Sequence, residues 1–224
     1  IAGSRPAFKA DMLDLLNYLR EEIVDSDVEV KIGLEVTQEK VRELSPVSLV
    51  IATGASSIVP RINGLEKAKT VHVTEALLSP HLVGDEPVVI GGGVTGCETA
   101  LYLSQLGRKV TIVEKLSELM PLEEIGYRHK TAVLSKMLRE ARVRAFLNSE
   151  VIEVAESTAM IKFGRMKFQI GADTIVLSIG FTTDKHLIDS LKASCGESYV
   201  IGDCANPGRI LEAIHDGDRV GRAV

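Results

Sequence analysis

The chain has 224 residues, enough for one large domain or two small ones. Hydrophobic residues make up 45% and charged residues 25%, an ordinary globular mix, and a formal net charge of −5 excludes a surface built to track a phosphate backbone. Uninterrupted apolar runs are only a few residues long, as at Leu49–Ala52, so neither a membrane-spanning helix nor a nucleic-acid partner is expected.

From the N-terminus, Phe8, Met12, Leu15, Leu16, Leu19 and Ile23 recur at helical spacing and predict a helix over residues 8–24 with one buried stripe. VEVKIGLEV alternates and reads as a strand, and TQEKVREL as a short helix. SLVIATG is a continuous apolar run ending in Gly54, the pattern of a strand buried on both faces. ASSIVPRINGLEKA, with its proline and glycine, reads as a crossing loop, and TEALLSPHL as a short helix.

The pattern resets at Glu86. PVVIG is a strand, residues 94–106 a helix, KVTIVE a second strand, residues 127–140 a helix and VRAFLN a third strand. The acidic run SELMPLEE between them reads as solvated. VIEVAESTAMIKFGRMKFQIGA gives three short alternating strands joined by tight turns, a β-meander. DTIVLSIG echoes SLVIATG as an apolar strand ending in glycine, SYVIGD is a further strand, and residues 209–223 form a last helix. Strands alternating with helices imply an α/β fold with a mainly parallel sheet, the meander being an antiparallel addition.

Gly91, Gly93 and Gly96 satisfy G-x-G-x-x-G between a strand and a helix, with a second strand ending at Glu114. This is the context of a dinucleotide site. Gly91 permits the tight turn, Gly93 leaves room for a pyrophosphate, and Gly96 lets helix and strand pack closely. Val94 and Thr95 open the helix, whose N-terminus offers free N–H groups and partial positive charge to phosphates. Glu114 closes the second strand, where a carboxylate accepts hydrogen bonds from adenosine ribose hydroxyls and repels a 2′-phosphate. NAD is therefore expected over NADP, although Lys115, one residue on, could pair with a phosphate. Glu98 reads either as a carboxylate in the first helical turn, favoured by the helix dipole, or as a residue facing the nicotinamide.

Cys97, Cys195 and Cys204 form no C-x-x-C and cannot all pair, which fits a reduced, cytoplasmic setting. Cys97 and Cys204 read as small buried side chains. His72, His81, His129, His186 and His215 share no metal-ligand spacing. No signal peptide is expected at the N-terminus. The chain opens on Ile1, so it is expected to be an excised part of a longer polypeptide, with a processed N-terminus as the alternative.

The glycine unit with Glu98, SLVIATGASSIVPRINGLE, DTIVLSIG and YVIGD, in this order, resembles the two-dinucleotide-binding flavoprotein reductases. YVIGDCANPGRILEAIHDGDRVGRAV is similar to the C-terminal region of one subgroup, the old yellow enzyme-related NADH:flavin oxidoreductases of the 2,4-dienoyl-CoA reductase and trimethylamine dehydrogenase type. The resemblance implies a Rossmann-like NAD(P)-binding domain over residues 86–184, inserted into a partial FAD-binding domain formed by residues 1–85 and 185–224. It implies that Ala52, Thr53 and Gly54 pass near the interface between the two nucleotides, as do Ser178, Ile179 and Gly180. It implies that Gly202 and Asp203 match a GD motif whose aspartate holds ribityl hydroxyls of FAD, and that Glu98 lies beside the nicotinamide. NADH would give a hydride to FAD, with no side chain acting as acid or base because the cofactors carry the chemistry. Electrons would pass on to a barrel domain with FMN and a [4Fe–4S] cluster, supplied by a missing N-terminal part of the same polypeptide. Three departures stand out: no glycine unit for FAD precedes Gly91, the barrel and cluster cysteines are absent, and so is the C-x-x-x-x-C of disulfide reductases. Two other readings stay open. One is an NADH-dependent reductase of a ferredoxin, rubredoxin or oxygen without a barrel; the other is a regulatory or structural nucleotide-binding module without redox chemistry.

Overall fold

The computed structural model describes residues 2–121 and 128–224. In chain order its elements are α1 (Met12–Val24), α2 (Gln38–Leu44), β1 (Leu49–Ile51), β2 (Ser56–Ser57), β3 (Thr70–His72), α3 (Val73–Leu78), β4 (Pro87–Ile90), α4 (Val94–Gln105), β5 (Thr111–Val113) and α5 (Arg128–Glu140). They continue with β6 (Arg144–Phe146), β7 (Ser149–Ala155), β8 (Thr158–Phe163), β9 (Met166–Gly171), β10 (Thr174–Leu177), β11 (Phe181–Thr182), α6 (Lys185–Lys192), β12 (Ser198–Val200) and α7 (Ile210–Gly221). The chain divides into two compact units, Ile1–Asp27 with Val59–Ile179, and Val28–Ile58 with Gly180–Val224. The breaks in packing thus fall after Asp27, Ile58 and Ile179.

The first unit is α/β. Five parallel strands lie in the order β3-β10-β4-β5-β6. The inner strands β10, β4 and β5 are buried at every residue, which is why they read as nearly unbroken apolar runs. Alternation sorts their side chains. Val88, Ile90, Ile175 and Leu177 join Val151 and Ile161 of the antiparallel meander β7-β8-β9 in one core. Val89 and Ile112, out of phase with that set, are fully buried as well, and α3 and α4 pack on β10, β4 and β5. Each fully buried Val or Ile contributes about 1.5–3 kcal/mol relative to exposure. β3, which the loop-like sequence before it hides, enters this sheet through β10, and this draws residues 59–85 into the unit.

The second unit is smaller. β1 and β12 pair in parallel, β2 and β11 pair antiparallel, and α2 and α6 pack around Val41, Ile51, Ile188 and Leu191. Thr37 caps α2 by accepting from Lys40 N–H, and Asp184 caps α6 by accepting from Leu187 N–H.

Several sequence expectations change. The apolar stripe of α1 is not buried: no residue of the helix is, and Ile23 is 50% exposed. VEVKIGLEV forms no strand, and Val30, Ile32, Leu34 and Val36 are exposed, because no partner strand lies beside it among the described residues. β1 is not buried on both faces: Ile51 packs with Val41, Ile188 and Leu191, whereas Val50, on the other face, is exposed. Within SELMPLEE, Met120 is buried; residues 122–124 of that run, Tyr127 and the His129 side chain lie outside the described residues. Among the described residues, no helix is long and apolar enough to cross a membrane.

Candidate functional site

β4 begins the succession β4-β5-β6 on one side of the parallel sheet, and β10 lies on its other side. The order of strands therefore reverses between β4 and β10. The carboxyl ends of strands at such a reversal are where open α/β sheets bind ligands. Gly91 leaves β4 there and Ser178 leaves β10.

Four glycines shape this end. Gly91 has φ +105°, and a Cβ on it would meet the Ser178 carbonyl oxygen at 2.2 Å, so both conformation and space require glycine. A Cβ on Gly96 would lie 2.1 Å from the Gly91 carbonyl oxygen, so α4 can seat on the turn only with glycine at that position. Gly93 differs: its φ is −65° and a Cβ there would meet nothing within 4 Å. Its surroundings leave room for a ligand, and the fold does not need glycine here. Val94 and Thr95 follow as exposed first residues of α4, where helical N–H groups lack intrahelical acceptors.

Gly92, which the motif leaves as a variable position, is the fourth. Its N–H donates to Glu114 Oε2 at 2.6 Å, while Leu116 N–H donates to Glu114 Oε1 at 2.7 Å. Gly92 also accepts Met120 N–H through its carbonyl, so the loop after β5 closes over the glycine turn. The Glu114 carboxylate is thus buried and locked by two backbone donors. Each oxygen retains acceptor capacity for a hydroxyl. Lys115 is not free: its ammonium pairs with Glu150 Oε1 at 2.7 Å.

Glu98 is the fifth residue of α4, not a member of its first turn, so the dipole reading does not hold for it. It instead pairs with Lys9 Nζ at 2.6 Å, and the Glu98 side chain is only 17% exposed. Lys9 lies 89 residues earlier, and no spacing pattern connects the two. Beside them, Cys97 donates its S–H to the Gly92 carbonyl, and burial, with Glu114 and Glu98 adding to it, pushes the thiol up to about 12. Cys97 is therefore a protonated packing residue, as expected of a small buried side chain.

Ser178 and Ile179 belong to this first unit, and the Ser178 hydroxyl lies close to Gly96. Gly180, Ala52, Thr53, Gly54, Gly202 and Asp203 belong to the second unit. There the parallel pairing of β1 with β12 brings Ala52–Gly54 and Gly202–Asp203 out at the same strand ends. The Ile51 carbonyl accepts Ile201 N–H and the Cys204 thiol. Gly202, at φ +62°, donates its N–H to Asp216, whose carboxyl is held below the usual range by Arg219 and by this bond. Asp203 is exposed and accepts Gly208 N–H.

A family model described as pyridine nucleotide-disulphide oxidoreductase matches residues 12–217. Over 226 residues the chain is 35% identical to an NADH oxidase of Thermoanaerobacter brockii, covering 98% of this chain and 34% of that protein. Over 225 residues it is 27% identical to a cinnamate reductase of Clostridium sporogenes, covering 100% of this chain and 33% of the relative. A solved 2-naphthoyl-CoA reductase in complex with 2-naphthoyl-CoA matches the whole chain with a TM-score of 0.91 at 26% identity, over 34% of its own length. The chain spans about a third of the length of these relatives.

Proposed function

Because the chain belongs to the pyridine nucleotide-disulphide oxidoreductase family, we propose that it is the NADH-binding region of a larger NADH:flavin oxidoreductase. The observation that carries this reading is the turn at Gly91–Gly93, which ends in open space at Gly93 and at the uncovered N-terminus of α4. In this reading Gly93, Val94 and Thr95 present N–H groups to the pyrophosphate, and Gly91 and Gly96 hold the turn that aims them. The pre-positioned Glu114 carboxylate accepts the adenosine ribose hydroxyls. Glu98, held by Lys9, faces the nicotinamide end. NADH, when bound, supplies a hydride, and FAD accepts it in the intact protein.

Ala52–Gly54 and Gly202–Asp203 are the contribution of the second unit to FAD, with Asp203 on the ribityl chain. Their convergence at the ends of β1 and β12 supports this assignment. The exposed Val30, Ile32, Leu34 and Val36 of the second unit support a flavin half completed by polypeptide outside this chain. The relatives' greater length supports a further domain; that this domain is a barrel with FMN and a [4Fe–4S] cluster rests on the resemblance of residues 199–224 to the old yellow enzyme-related subgroup.

Thermal-shift titration of the chain with NADH, NADPH, ADP and FAD tests the reading. NADH is expected to raise the melting temperature most, and FAD little, since the first glycine unit for FAD is absent. A larger shift with FAD than with NADH would overturn this order and show that the flavin residues of the chain suffice without a first glycine unit.

A further inference from the structure

We propose that Glu150 sets the choice between NADH and NADPH, by holding the Lys115 ammonium away from the position of a 2′-phosphate. The inference rests on the nucleotide reading of Gly91–Gly96 and names a specificity residue for that same site.

Glu150 is 36 residues beyond Glu114, on a different strand, yet the fold brings them together. Ser149 N–H donates to the Glu114 carbonyl at 2.9 Å, and Asn148 N–H donates to the Leu116 carbonyl at 2.9 Å. Asn148, at φ +49°, makes the turn that lets the chain enter β7 directly beside Glu114–Leu116. Along β7 the side chains alternate: Ser149 and Val151 are buried, and Glu150 between them points outward. Glu150 is therefore the first outward residue next to the ribose carboxylate, and its Oε1 lies 2.7 Å from Lys115 Nζ.

The charges decide what this does. Glu150 neutralises the Lys115 ammonium, so the Glu114 carboxylate faces an adenosine 2′ substituent without a free cation from Lys115 beside it. Two hydroxyls find acceptors there; a 2′-phosphate, with a charge of about −1.5 to −2, meets repulsion. Without Glu150, Lys115 becomes a free ammonium one residue from the ribose site. Lys162, directly opposite Glu150 in the β7–β8 register, adds a second cation on the same face. Lys115 and Glu150 are 69% and 43% exposed, so the pair adds little to folding and its removal leaves the fold in place.

The test is a fluorescence titration of the chain with NADH and NADPH, free of indole background because the chain has no tryptophan. In Glu150→Gln, NADPH is expected to bind roughly fivefold tighter while NADH changes by less than about twofold. The gain is expected to vanish in Glu150→Gln/Lys115→Gln and to shrink as salt rises toward about 1 M, because an exposed ammonium acts by charge. An unchanged NADPH-to-NADH ratio in Glu150→Gln, or a gain that survives the second substitution, overturns the role of Glu150. Binding of neither nucleotide by the wild-type chain overturns the nucleotide reading itself, and this inference with it.

Discussion

The Cys97 thiol lies against the Gly92 carbonyl with Glu114 and Glu98 nearby, and its ionisation is pushed from 9.0 up to about 12. A raised thiol value has a definite sign in stability. The unfolded chain loses this proton first, so the contribution is complete below pH 9 and is lost as the pH rises through 12. Urea unfolding at about pH 8 and about pH 10 is expected to show a smaller alkaline loss in Cys97→Ala than in wild type. Equal losses would mean that the thiol is not held protonated. That Cys97 packs rather than reacts was legible from its place in the helix after the glycine turn. The partners of the neighbouring carboxylates were not. Lys9 reaches Glu98 across 89 residues, and Glu150 reaches Lys115 only because β7 starts where it does.

At the scale of elements, the three motif glycines separate into two kinds. Gly96→Ala forces a Cβ against the backbone of Gly91, and backbone cannot rotate aside as a side chain would. The expected cost is about 1–3 kcal/mol of stability, read by denaturant unfolding. Gly93→Ala meets nothing and keeps an ordinary φ, so its stability is expected to stay within about 0.5 kcal/mol of wild type. On the proposed NADH reading its NADH affinity, measured by the same fluorescence titration, is expected to fall, because the new methyl occupies the open space at the turn. A destabilised Gly93→Ala, or one that binds NADH as wild type does, would remove the distinction. The strand–turn–helix–strand β4-α4-β5 and the meander were readable from period and glycine spacing. β2, β3, β11 and α6 were not. β2, β3 and β11 are two or three residues long and gain their identity only from pairing. α6 is a short eight-residue helix capped by Asp184.

At the scale of the whole molecule, the apolar alternation VEVKIGLEV has the pattern of a strand and the environment of a loop. Residues 30–36 lie in no helix or strand, and Ile32 is 93% exposed. Hydrogen exchange is expected to be fast across residues 30–36 in this chain and slow in β4 and β10, whose neighbours pair them on both sides. In a longer protein that supplies a partner strand, residues 30–36 are expected to become protected. Slow exchange in the present chain would show that they already pair.

The amino-acid sequence by itself determined the α/β alternation, the glycine turn at Gly91–Gly96 between strand and helix, the carboxylate at Glu114 and the meander. These depend on periodicities and spacings among near neighbours, which burial and backbone geometry impose locally. Only the tertiary structure decided the rest. It joined residues 59–85 to the glycine unit through β3, left α1 and residues 30–36 without cover, and set Lys9 on Glu98 and Glu150 on Lys115. Each of those outcomes depends on which distant segments meet, and chain reversals spanning tens of residues leave no period in the sequence.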